Sequence, residues 1–351
     1  MSQLQGVGGD QASPQLRSRV IPRMTLWLSL HLAIGLLGTW LARRYALNAN
    51  LLDHPGERRS HDAATPRGGG VAIVASLLLA AIWLGFQFPD RRIWLSCFAT
   101  GLAVVGGVGW MDDHRPLSAW IRLAAHVLAG VLLAWGVQLT HGNPWLSVGT
   151  FIFAVGLTNV WNFMDGIDGL AATQAGLIAA TIALWLSGSE QWLAAALAAA
   201  CGGFLPQNFP RAKVFLGDVG SGAIGFSIAA LASSVVAGQQ VSSSFLILLP
   251  LAAFLVDSSL TLASRMLRGE KWWRAHADHS FQIWARKLRA HWPVTLAYAV
   301  WTVMGCVIWL AFRKEEYAFI TLSLLAWYMA TSLFWLYLRR RRNDAPSGIR
   351  E

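Results

Sequence analysis

Apolar stretches of close to twenty residues recur along the chain, separated by short polar turns. A helix needs about 20 predominantly apolar residues to cross the hydrocarbon core of a bilayer. The pattern predicts about eleven such segments, at roughly 24–42, 69–88, 93–111, 119–139, 146–164, 170–188, 191–207, 221–239, 243–263, 293–312 and 317–338. The expected fold is therefore all-α, a polytopic helical membrane bundle forming one transmembrane domain over 24–338. Residues 1–23 are polar and rich in Gly, Ser and Gln, and read as a disordered tail rather than a cleavable signal. Residues 339–351 read as a basic tail. Two connections are long, Tyr45–Gly68 and Arg265–Pro293, and long ordered connections tend to carry function.

Composition agrees with a membrane protein. Only 13% of the 351 residues are charged and 55% are hydrophobic, where soluble domains carry about 25% charged residues. The 19 Trp suit interfacial belts. Cys97, Cys201 and Cys306 lie inside apolar runs without CxxC spacing, which argues against disulfide frameworks and zinc sites. A net charge of +10 fits nucleic acid or anionic lipid, and its distribution decides for membrane lipids and against nucleic acid. Alternate loops and the adjoining span ends hold 21 of the 28 Lys and Arg, and the other side holds 7. The positive-inside rule then places the C-terminus in the cytoplasm and the N-terminus outside. Everything after 191–207 depends on that short Ala/Gly-rich segment crossing.

The same parity brings every acidic motif to the cytoplasmic end of a span, where a carboxylate near hydrocarbon calls for a reason. Asp112-Asp113 ends the third segment just before His114-Arg115-Pro116, with Arg115 and Arg122 within reach. Asn159, Asn162 and Asp165 follow a spacing of three that keeps them on one helical face, and Asp168 continues it past Gly166. Such oxygen ligands suit Mg²⁺ or Mn²⁺. Asp218 lies between Gly217, Gly220 and Ser221 in a tight turn before a helix N-terminus, a place that attracts anions, with Arg211 and Lys213 just upstream. Capping of that helix is the plainer role for Asp218. Asp257 admits a packing hydrogen bond as readily as catalysis. The loop 265–282 gathers Arg265, Arg268, Lys271, Arg274, His276 and His279, which suits a phosphate, with lipid headgroups as the competitor. The first long connection holds Asp53, then Arg67-Gly68-Gly69-Gly70, whose glycines allow close backbone approach to a phosphate.

In this order the motifs resemble the polyprenyl-phosphate N-acetylhexosamine-1-phosphate transferases. The match runs from Asp53 to Gln282. It covers Asp-x-Pro with Arg-x-x-His and Pro-Arg-Gly-Gly-Gly, the Asp-Asp pair, Asn-x-x-Asn-x-x-Asp-Gly-Ile-Asp-Gly, Phe-Leu-Gly-Asp-x-Gly-Ser and a His-containing loop. The resemblance implies a catalytic transmembrane domain in the bacterial inner membrane, with its active site on the cytoplasmic face. It implies transfer of a sugar-1-phosphate from a UDP-sugar to undecaprenyl phosphate with release of UMP. By the same resemblance Asp218 and Asn162 bind Mg²⁺, with Mn²⁺ as the substitute. Asp165 and Asp168 sit beside nucleotide or metal, Asn159 helps bind the nucleotide, and Asp112 and Asp113 act at the lipid phosphate. Arg265, His276 and His279 hold the sugar diphosphate, with Arg67, Gly69 and Lys213 as further substrate contacts. The His276-Ala-Asp278-His279 form lacks the triple His of the muramoyl-pentapeptide enzymes and looks closer to the O-antigen initiators that accept N-acetylated or deoxy sugars. A homodimer is among the assemblies these features allow. The rival from another class is a transporter or flippase of a phosphorylated lipid, which would place its acids near the bilayer midplane and show repeated halves.

Overall fold

The computed structural model describes residues 14–54, 64–238, 244–271, 276–312 and 316–343. It is almost entirely helical. In chain order the helices are α1 (Pro14–Asn48), α2 (Val71–Gln87), α3 (Arg92–His114), α4 (Ala119–His141), α5 (Pro144–Met164), α6 (Leu170–Trp185) and α7 (Gly188–Asn208). They continue with α8 (Gly217–Ala237), α9 (Leu248–Leu267), α10 (Ser280–Leu288), α11 (Trp292–Ala311) and α12 (Tyr317–Asn343). Two-residue strands β1 (Leu52–Asp53) and β2 (Thr65–Pro66) pair antiparallel, Leu52 opposite Pro66. Residues 55–63, with the Pro55–His61 portion of the expected motif, lie outside the described residues, as do residues 272–275 with Arg274.

Each predicted apolar segment falls on a helix. Eight helical segments among the described residues are long and apolar enough to cross a membrane. α2 and α6 are apolar but shorter, and α7 is interrupted by Ser, Glu, Gln and Pro206. α1 begins at Pro14, inside the segment expected to be a disordered tail, and α12 runs to Asn343, five residues into the basic tail. α10 is a short helix that lies within the second long connection.

The helix α8 is the axis of the bundle. Nearly all of it is buried, and its small residues explain how. A Cβ on Gly225 would come 2.3 Å from the Leu157 carbonyl of α5, and one on Gly220 would come 2.7 Å from the Gly70 Cα. Without hydrophobic drive between helices in lipid, such close backbone approach is what lets them pack. The outer helices turn large apolar residues outward, among them Leu128, Trp135 and Ile152.

The ends of the helices sort into two groups. Glu190 at the start of α7 lies 3.6 Å from Arg91, before α3. At the opposite end, Asn208 at the close of α7 accepts a hydrogen bond from the Gly169 N–H, before α6. α7 therefore runs from one end of the bundle to the other. The end holding Asn208 also holds the close of α3, the close of α5, the start of α8 and the close of α12, where Arg339 donates to the Asp278 carbonyl.

Candidate active site

A cleft opens at that end. It is lined by Asp53, Arg67, Asp113, Asn162, Asp165, Gly166, Asp168, Asn208, Phe215, Asp218, Gln282 and His291. Four carboxylates from the ends of α3, α5 and α8 thus face one space.

The start of α8 is fixed by Asp113. Its carboxylate accepts the N–H of Asp218 at 3.1 Å and that of Val219 at 3.2 Å, capping α8 from the neighbouring helix α3. This satisfies two of the donors that a helix N-terminus leaves without intrahelical partners. Gly217 makes the approach feasible: its φ is +76°, and a Cβ there would lie 2.5 Å from the Asp113 Oδ2. Arg67 lies beside the cap, its Nε 3.8 Å from Asp113 Oδ1, and donates to the main-chain carbonyl of Asp113.

Asp112 faces differently. It accepts the Leu117 N–H at 2.5 Å and Arg122 Nη1 at 3.0 Å. The same Arg122 nitrogen reaches Asp218 Oδ2 at 3.3 Å. On the other side of Asp218, Asn162 Nδ2 donates to Oδ1 at 2.6 Å and to Ser221 Oγ at 3.2 Å. Asn162 and Asp218, 56 residues apart, are therefore adjacent.

Asp165 caps the C-terminal end of α5. Among the described residues no hydrogen bond reaches its carboxylate. Burial, and then the negative charges of Asp218, Asp113 and Asp168, push its pKa up to about 8. Asp168 Oδ2 lies 3.2 Å from His291 Nδ1.

These groups are the oxygen donors that a hard divalent cation takes, and the uncompensated charge around Asp165 fits one. Among the described residues no three His, Cys, Asp or Glu side chains stand close enough together to hold an ion by themselves. The donor set instead suits an ion that keeps waters and substrate phosphate oxygens in its shell, as Mg²⁺ does.

Several predicted residues stand outside the cleft. Asn159 lies one turn deeper on α5, donating to the Val155 carbonyl at 2.8 Å. Gly69 donates its N–H to the Phe215 carbonyl at 2.9 Å and packs on Phe204 and Val214, so it holds the 214–216 segment. The Lys213 side chain is exposed, and its carbonyl accepts Arg43 Nε at 3.1 Å. Arg265 is buried with Nη1 2.5 Å from Asp278 and 2.8 Å from Glu270, so its charge is already matched. His276 is held near pKa 4 by burial, then by His279 and Arg265. His279 precedes α10, where its N–H donates to Gln282 Oε1 at 3.3 Å. Asp257 is a structural cap. It accepts the Ser280 and Phe281 N–H groups at 2.9 and 3.1 Å and the Tyr298 hydroxyl at 2.9 Å.

The motifs alone did not single out His291 and Asn208. Asn208 bridges the Gly169 N–H and the Val214 carbonyl, at 2.9 Å each. Both residues are polar and sit where an apolar helix begins or ends, and that position is the signal they offer.

Comparison with known proteins adds an independent line. The family described as Glycosyl transferase family 4 matches residues 94–236, which includes the Asp-Asp, Asn-x-x-Asn and Asp218 motifs. The chain is 32% identical over 263 residues to the decaprenyl-phosphate N-acetylglucosaminephosphotransferase of Mycobacterium leprae, across 65% of this chain and 63% of that protein. It is 32% identical over 275 residues to the enzyme of the same name from Mycobacterium tuberculosis, across 68% of this chain and 67% of that protein. It is 27% identical over 323 residues to the undecaprenyl-phosphate alpha-N-acetylglucosaminyl 1-phosphate transferase of Yersinia pestis, across 83% and 86%. The chain spans just under two thirds of the first of these relatives.

Proposed function

Because the chain belongs to the polyprenyl-phosphate N-acetylhexosamine-1-phosphate transferase family, we propose that it transfers a sugar-1-phosphate from a UDP-sugar to undecaprenyl phosphate. UMP is released, and the product is the first lipid-linked intermediate of a cell-surface polysaccharide such as O-antigen. The observation that carries this reading is the cleft itself, where Asp113, Asp165, Asp168 and Asp218 meet at one end of a membrane bundle. The family does not favour a transporter or flippase, and the acids gather at an end of the bundle rather than at its middle.

In the proposed reaction an oxygen of the lipid phosphate attacks the sugar-bearing β-phosphorus of the donor. The bond from that phosphorus to the bridging oxygen breaks, and UMP leaves with the electron pair. A phosphate monoester has a second pKa near 6 and is largely dianionic at neutral pH, so a strong base is hardly needed. The barrier lies in bringing two anions together. Arg122, between Asp112 and Asp218, and Arg67, beside Asp113, supply positive charge at the cleft's edge. A divalent cation held by Asp218 and Asn162, with Asp165 close by, would offset the remaining repulsion and the charge developing on UMP.

The geometry also favours orientation over proton abstraction for the Asp-Asp pair. Asp113 is engaged by two N–H groups, and Asp112 by Leu117 and Arg122. The cytoplasmic face of the inner membrane is the proposed location of the cleft, supported by the cationic excess on that side. The proposed test is UMP release from purified protein given undecaprenyl phosphate and a panel of UDP-sugars. Asp218→Asn should lower release by about a thousandfold, the scale of losing a central electrostatic group.

A further inference from the structure

His291 lies just before α11, outside the motifs that carry the family resemblance, yet it lines the same cleft as Asn162, Asp165 and Asp218. Its Nδ1 is 3.2 Å from Asp168 Oδ2, the contact this nitrogen makes when it carries the ring N–H and donates to the carboxylate. One turn later, the Thr295 hydroxyl donates to the Asp168 carbonyl at 2.8 Å. The start of one helix thus grips the side chain and the main chain of a single aspartate.

Asp168 needs that grip. It stands between Gly166 and Gly169, the latter at φ +75°, so the local chain holds it weakly. Asp113, Asp165 and Asp218 line the same cleft, so other acids share the space it faces. The arginines serve the other acids, Arg122 at Asp112 and Asp218, Arg67 at Asp113, while His291 serves Asp168. We propose that His291, with Thr295, is a positioning residue that holds Asp168 toward the donor nucleotide, so that α11 sets donor affinity without touching the reacting phosphorus. The inference rests on the reading of the cleft as a UDP-sugar site.

The test is titration of UDP into the purified full chain with Mg²⁺, for the wild type, His291→Leu, His291→Asn and Thr295→Val. Leucine fills the space without a polar atom. Asparagine can offer an N–H near the place of Nδ1. We expect His291→Leu to weaken UDP binding about tenfold, the loss of one charge-assisted contact. His291→Asn should recover to within about threefold of wild type, and Thr295→Val should fall between them. In UMP release, the KM for undecaprenyl phosphate should stay unchanged while that for the UDP-sugar rises. Wild-type affinity for UDP in His291→Leu, or an asparagine variant as weak as the leucine one, overturns the inference alone. Failure of the wild type to bind UDP overturns the donor reading and this inference with it.

Discussion

Asp113 and Asp165 are neighbouring acids with opposite situations. Asp113 gives its lone pairs to the α8 N-terminus; Asp165 receives no hydrogen bond among the described residues. Asp113→Ala should lower stability by about 1–2 kcal/mol, the scale of a lost cap. It should also disorder Asp218 and so lower UMP release, whereas Asp113→Asn, which keeps one acceptor oxygen, should retain more of both. Thermal unfolding and kinetics on the two variants check this. For Asp165 the sign follows from linkage. With the folded pKa raised to about 8 above an unfolded value near 3.9, the folded protein holds the extra proton between those values. Its contribution to stability is present below about pH 4 and is lost as pH rises through about 8. Protein stripped by EDTA should therefore lose stability from pH 5 to pH 8, and Asp165→Asn should flatten that slope. Mg²⁺ should restore stability at the alkaline end.

Among the elements, the helices were legible because hydropathy over a twenty-residue window is a strong signal in lipid. The motif carboxylates at their ends were legible for the same reason, since charge next to hydrocarbon stands out. The partners of those carboxylates were not. Asp257 and Asp113 each cap a helix that they do not belong to, α10 and α8, and a contact across 23 or 105 residues leaves no local pattern. The cationic loop 265–282 read as a phosphate site from its composition, and in the folded chain Arg265 pairs with Asp278 and Glu270. Opposite charges within one loop could have warned of that. Asp257→Asn should lower the melting temperature by loosening α10 while leaving kcat within a few-fold of wild type. At the α8 crossing, a Cβ on Gly70 would lie 2.2 Å from the Gly220 Cα. Gly70→Ala should therefore cost about 1–3 kcal/mol and displace Asp218, seen as lower stability together with lower UMP release.

The whole molecule puts Asp113, Asp165, Asp168 and Asp218 at one end of the bundle and Arg91 with Glu190 at the other. The proposed orientation, argued from charge bias, faces the acidic end to the cytoplasm. A cysteine introduced at Lys213, which is exposed, should react with a membrane-permeant maleimide and stay protected from an impermeant one in intact cells. Labelling from outside would reverse the orientation. The most direct measurement remains the release of UMP by purified protein supplied with undecaprenyl phosphate and UDP-sugars. We predict release with at least one UDP-sugar that stops when EDTA is added and resumes with Mg²⁺. Release that persists undiminished in Asp218→Asn, or its absence with every UDP-sugar and lipid phosphate offered, would contradict the proposed reaction.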